Sequence, residues 1–226
     1  MHLGVPEIEA LLDFALNKPL TALSLPGGVT PAAMPSLTRL MRGGSLTTLE
    51  VWNGVNVLTP SPAFCDAVAA VPLVRLVYMD GGLFVDLTAG LSLLAAVTGH
   101  PTLSHLSLIG NRVAPAACPA VGTVLELLVA ADSPLITLRI SYCGLGNDGL
   151  LPFIDALPRT THLRQLECAG NGFTQLTATR LLAAVRATAS LIHLKAADDT
   201  HLEAAMGEDD LPELVEAEEV VAARAS

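Results

Sequence analysis

Aromatic residues are scarce in this chain: one Trp, two Tyr and five Phe make up 4% of its 226 residues, while 51% are hydrophobic. An interior with so few large rings has to be built from Leu, Val and Ala, which suits many small repeated layers better than one globular core. Paired cysteines are missing as well. Cys65, Cys118, Cys143 and Cys168 form no CxxC pair and no dense framework, so a disulfide scaffold is excluded and reduced thiols in an intracellular protein are expected.

Basic residues are few and scattered, 12 against 22 acids, and supply no clustered footprint for nucleic acid. The net charge of −10 is uneven: from Glu203 to Ser226 there are eight acids and one Arg, which leaves the rest of the chain nearly neutral. The N-terminal stretch carries Glu7, Glu9 and Asp13 before its first Lys at position 18, without the basic start and apolar run of a secretory signal, so a cytoplasmic protein is expected. The longest apolar run, around Ala120 to Ala131, contains Glu126 and is too short to span a bilayer, and no membrane partner is expected.

What the chain does have is an internal repeat. Leu or a substitute recurs at the first, fourth and sixth positions of seven segments: Leu20, Leu23, Leu25; Leu46, Leu49, Val51; Leu73, Leu76, Tyr78; Leu103, Leu106, Leu108; Leu135, Leu138, Ile140; Leu163, Leu166, Cys168; and Leu191, Leu194, Ala196. The starts lie 26, 27, 30, 32, 28 and 28 residues apart. The fourth and sixth positions alternate as a strand does, sending apolar side chains inward while the residues between them face solvent. A turn follows each, at Gly27-Gly28, Gly54, Gly81-Gly82, Gly110-Asn111, Gly144 and Gly170-Asn171. The period then changes to about 3.6, as in Met34, Leu37, Leu40, Met41 or Ala178, Leu181, Leu182, Val185, which marks amphipathic helices.

This pattern resembles the leucine-rich repeat family, specifically its long ribonuclease-inhibitor-like class, over residues 20 to 200. The signature LxxLxLxxNxL is closest at Leu103, Leu106, Leu108, Asn111, Val113 and at Leu163, Leu166, Cys168, Asn171, Phe173; Cys143 takes the Asn position in the copy that begins at Leu135. The resemblance implies an α/β solenoid, a horseshoe with a parallel concave sheet of about seven strands and convex helices. Gly28, Gly54, Gly81 and Asp199 stand at the Asn position elsewhere, so an incomplete side-chain ladder is expected at those turns. Residues 1–19 read as an N-terminal cap helix, with Ile8, Leu11, Leu12, Ala15 and Leu16 on one face, 20–202 as the repeats, and 203–226 as an acidic C-terminal cap helix or tail.

Three motifs hint at chemistry and are absorbed by the repeat. Gly144-Leu145-Gly146-Asn147-Asp148-Gly149 spells GxGxxG, with Glu167 at about the distance of a ribose-binding acid, yet each residue has a place in a turn, a helix start or a strand. The histidines lack ligand-like spacing and read as surface residues; His105 and His193 share a strand position but stand roughly 14 Å apart, three strands at about 4.8 Å each. Cys168 replaces an inward Leu and Cys143 a turn Asn, and no nucleophile elbow surrounds any Ser. No catalytic residue, cofactor or metal ligand is assigned.

The concave face is more informative. Its seventh position reads Pro26, Trp52, Met79, Ile109, Ser141, Ala169, Ala197, and its fifth Ser24, Glu50, Val77, Ser107, Arg139, Glu167, Lys195. Repeats two to four should therefore display Trp52, Met79, Ile109 and Val77 to solvent, extended by Tyr142 and rimmed by Arg75, Asp80, Glu50 and His105. Contiguous exposed apolar surface of this kind serves interfaces. The function expected is a non-catalytic scaffold that binds a protein or peptide on that face. Alternatives are a regulator of an enzyme, similar to the leucine-rich repeat activators of small GTPases, or a recognition arm of a larger ubiquitin ligase or effector.

Overall fold

The computed structural model describes residues 5–16, 18–26, 29–52, 59–129, 133–197 and 211–225. The turn glycines Gly27, Gly28 and Gly54, together with Asp199, lie outside the described residues. The fold is α/β and leucine-rich-repeat-like, with seven parallel strands and eight α-helices among the described residues, in two compact units divided after Asn111.

The first unit opens with helix α1 (Val5–Ala15) and continues through β1 (Ala22–Pro26), α2 (Met34–Arg42), β2 (Thr48–Trp52), α3 (Pro62–Ala70), β3 (Arg75–Met79), α4 (Leu87–Val97) and β4 (His105–Ser107). Its four strands pair in sequence order, each level with the next: Leu23 with Leu49, Leu49 with Leu76, Leu76 with Leu106. Register is held at the strand entry by carbonyls that each accept two successive N–H groups of the following repeat. Thr47 O accepts from Val74 N and Arg75 N, and Val74 O from Ser104 N and His105 N. Ser61 and Asp86 cap α3 and α4 by accepting from Phe64 N and Ala89 N.

The second unit contains α5 (Cys118–Leu128), β5 (Thr137–Arg139), α6 (Gly146–Ala156), β6 (Gln165–Glu167), α7 (Gln175–Ala187), β7 (His193–Lys195) and α8 (Pro212–Ala222). Leu138, Leu166 and Leu194 stand level on its three strands. In each of the first two, the N–H after the strand donates to the next strand: Ile140 N to Glu167 O and Cys168 N to Lys195 O. After β7 the equivalent donor, Ala196 N, meets the Glu218 carboxylate of α8 at 2.6 Å, and Ala197 N meets the same oxygen at 2.8 Å. Glu218 thus stands where a further strand's carbonyl would. Arg224 donates to Val185 O and Thr188 O at the end of α7, while Leu214, Ala217 and Val221 of α8 are buried.

Leu49, Val51, Leu76, Leu106, Leu108, Leu138, Ile140, Leu166 and Cys168 are all buried, as the alternation requires. Leu23 of the first strand is only half-buried. Removing one of these layers leaves a hole that neighbouring repeats cannot close, so Leu106→Ala and Leu138→Ala should each cost about 2 to 5 kcal/mol. Thermal melts of the two variants within a degree of wild type would contradict this register.

Two expectations are corrected here. The turn at Gly81 is not short of support: Asn111 of the next repeat accepts from Gly81 N and Leu83 N and donates to Tyr78 O. The asparagine braces the turn before its own, so what matters at Gly81 is the residue one repeat later. His100, in turn, is not a surface histidine. It is buried, bonded through Nε2 to Val71 O, while its Nδ1 accepts from Leu103 N, so it joins two consecutive repeats.

Candidate functional site

The first unit's strands bring a row of apolar residues level with one another on the face opposite the inward leucines. Pro26 pairs with Trp52 and Trp52 with Met79. Ile109, two residues past the end of β4, is drawn level because its carbonyl accepts from Asp80 N at 3.0 Å. Trp52 is 45% exposed, and Met79 and Ile109 are partly exposed. Strands about 4.8 Å apart make these side chains one stripe.

Val77 does not belong to the displayed surface. It is 2% exposed. In register with Glu50 on one side and Ser107 on the other, at the middle of its strand, it is enclosed by neighbours and forms floor rather than contact surface.

The polar residues divide. Glu50 accepts from Arg75 Nε at 2.9 Å and from Ser24 Oγ at 3.2 Å, which ties β1, β2 and β3 together and neutralises both charges. His105 is level with Arg75 on β4 and half-buried. Asp80 is exposed and has no hydrogen-bond or ion partner for its carboxylate among the described residues. Its backbone is left-handed, φ +50°, an uncommon conformation for a residue with a Cβ and one that Asp and Asn tolerate best.

Tyr142 lies in the second unit, 38% exposed, at the same repeat position as Asp80 and likewise left-handed with φ +61°. Its ring lies over Gly170, where a Cβ would come within 2.4 Å of it. At the seventh position of this unit Ser141 and Ala169 are buried and Ala197 is half-buried. Arg139 and Glu167 form an ion pair there at 3.0 Å. The alternation pointed to the stripe but missed Val74, which precedes β3 and is exposed.

The GxGxxG residues all have conformational or packing roles. Gly144 and Gly146 have φ of +66° and +56°, and Gly149 is buried where α5 and α6 meet. All four cysteines are buried without disulfide bonds, and burial raises the thiol pKa of Cys65, Cys118 and Cys168. Because the thiolate is the reactive form, iodoacetamide at neutral pH should modify these three cysteines more than tenfold slower in the folded protein than in denaturant. Mass spectrometry of the time course would show it, and rapid native labelling of Cys168 would contradict its burial. Among the described residues no group of three His, Cys, Asp or Glu could hold a metal ion, and no helix is long and apolar enough to cross a membrane.

No family model matches the sequence, and no curated protein matches it either. Among solved structures the chain is similar to the tropomodulin C-terminal domain of Caenorhabditis elegans, at 13% identity and a TM-score of 0.46, covering 85% of this chain and 90% of that one. It is also similar to a structure of leiomodin-1 actin-binding site 2, at 11% identity and a TM-score of 0.45, covering 59% of this chain and 70% of that one.

Proposed function

We propose that the chain is a non-catalytic protein-binding module of the ribonuclease-inhibitor-like class of leucine-rich repeats, docking a protein or peptide on the strand face of its first unit. The observation that carries this reading is the row of Trp52, Met79 and Ile109, level on neighbouring strands and open to solvent at its largest member. Rings and long apolar side chains in such a row lose water together when covered, and interface energy concentrates in a few central residues of this kind. Val77 supports the row from beneath, Glu50, Arg75 and His105 border it on one side, and Asp80 on the other.

With a partner isolated from native lysate, Trp52→Ala should weaken binding by about 2 kcal/mol, roughly thirtyfold, and leave the melting temperature nearly unchanged. Glu167→Ala, in the second unit's ion pair, should change affinity by less than about 1 kcal/mol. If Trp52→Ala, Met79→Ala and Ile109→Ala all fold and bind normally, the strand face is not the site.

A further inference from the structure

We infer that the occupant of this face is an amphipathic α-helix with a basic flank, lying across the strands rather than along them. The inference rests on the strand-face reading above and follows from spacing and charge. Pro26, Trp52, Met79 and Ile109 offer one apolar side chain per strand, so the row repeats every 4.8 Å or so and extends over about 14 Å. A partner that fills such a row needs apolar side chains at nearly the same pitch. On a helix, positions i, i+4, i+7 and i+11 return to one face about every 5.4 Å along the axis. An extended chain returns to one face only about every 6.7 Å. Across three intervals the helix drifts from the row by about 2 Å, the extended chain by about 6 Å, which exceeds a whole strand.

The charges fix the side. Before the row, Glu50 is already matched by Arg75 and Ser24. After it, the exposed Asp80 carboxylate lies over Gly110, next in the chain to Ile109, and lacks any counter-charge among the described residues. Covering the row with an uncharged or acidic partner would strip water from Asp80 without compensation, whereas a Lys or Arg beside the helix's apolar ridge would pair with it.

The test uses the full chain and three tryptophan-free synthetic peptides, because Trp52 is the protein's one tryptophan and its emission reports directly on the row. The first peptide places Leu at i, i+4, i+7 and i+11 with Lys beside that ridge. The second has the same composition with Leu and Lys alternating, to favour an extended chain. The third replaces each Lys of the first with Glu. The helical basic peptide should shift Trp52 emission to the blue with saturation, at least tenfold more tightly than either of the others, and should gain helical circular dichroism on binding. The net charge of −10 could gather a basic peptide elsewhere, so Asp80→Asn is included; asparagine keeps the left-handed backbone and removes only the charge. That substitution should weaken the basic peptide about fivefold and leave the acidic one unchanged or slightly improved. If the alternating peptide binds as tightly as the helical one, the helix inference fails and the interface reading stands. If the peptides saturate the protein while Trp52 emission stays unchanged, both fail.

Discussion

Asn171→Ala should lower stability by about 4 kcal/mol, more than any single leucine truncation on an exposed helix face could. Asn171 is fully buried in the second unit. Its Oδ1 accepts from Cys143 N at 3.1 Å and Leu145 N at 3.4 Å, and its Nδ2 donates to Ile140 O at 2.8 Å and Cys168 O at 2.7 Å. Alanine strands two donors and two acceptors in a place that water does not reach. Each such group costs about 1 to 3 kcal/mol, and local relaxation recovers only part of the sum. Urea denaturation followed by circular dichroism measures the loss. Asn111 makes the same bonds to the turn of Gly81 and Leu83, so Asn111→Ala should cost a similar amount in the first unit.

Asn171→Asp separates hydrogen bonding from volume. An ionised carboxylate still accepts from the two N–H groups, but its other oxygen faces the carbonyls of Ile140 and Cys168, where a donor is needed. Folding therefore favours the protonated form and raises the folded pKa above the unfolded one. The stability that protonation supplies is full below the unfolded carboxyl pKa and is lost as pH rises through the folded value. The deficit relative to wild type should grow from acid toward neutral pH. A deficit that is flat with pH, or a loss below about 1 kcal/mol for the alanine variant, would mean that these bonds do not hold the turn.

The strand positions were legible because a period of two with Leu on one side is a direct imprint of a half-buried strand. Leu49 to Leu166 are placed accordingly. The row of Trp52, Met79 and Ile109 was legible for the same reason, since a repeat turns alignment along the chain into adjacency in space. What the pattern could not carry is the effect of one repeat upon the next. Alternation puts Val77 outward; only the presence of Glu50 and Ser107 on both sides encloses it. Counting asparagines repeat by repeat suggested a weak turn at Gly81, because the signature does not state that the asparagine serves its predecessor. Residue type alone puts His100 at the surface, while its position three residues before Leu103 is a capping position that Thr160 fills before Leu163. Glu218 and Arg224 lie in a segment whose acidic composition does not distinguish a cap helix from a tail, and both direct their charge to backbone groups, Glu218 to the segment after β7 and Arg224 to the end of α7.

A glycine inside a helix usually invites stabilisation, since alanine gains about 1 kcal/mol of helix propensity at an open site. At Gly122 the sign should reverse. This residue of α5 faces Gly149 of α6, and a Cβ there would lie 2.6 Å from the Gly149 carbonyl oxygen and 2.9 Å from its Cα. Both are backbone atoms, so no side-chain rotation relieves the contact and the two helices must separate. Overpacking of a fixed neighbour costs about 1 to 3 kcal/mol, and approach to backbone atoms this close belongs at the upper end; with the propensity gain of about 1 kcal/mol subtracted, Gly122→Ala should still lose about 2 kcal/mol, which in a chain of this size lowers the melting temperature by about 4 to 8 °C. Gly149→Ala offers the internal comparison. Its Cβ would meet the Leu145 side chain at 3.0 and 3.2 Å and the Cys118 carbonyl oxygen at 3.3 Å, contacts that yield by a few tenths of an ångström, so its loss should be the smaller of the two. Gly146→Ala differs again, with nothing within 4 Å but φ at +56°, and should cost about 1 to 2 kcal/mol through backbone conformation alone. The order of melting temperatures among these three variants distinguishes steric approach from backbone strain: a Gly122→Ala variant as stable as wild type would mean that α5 and α6 do not meet backbone to backbone.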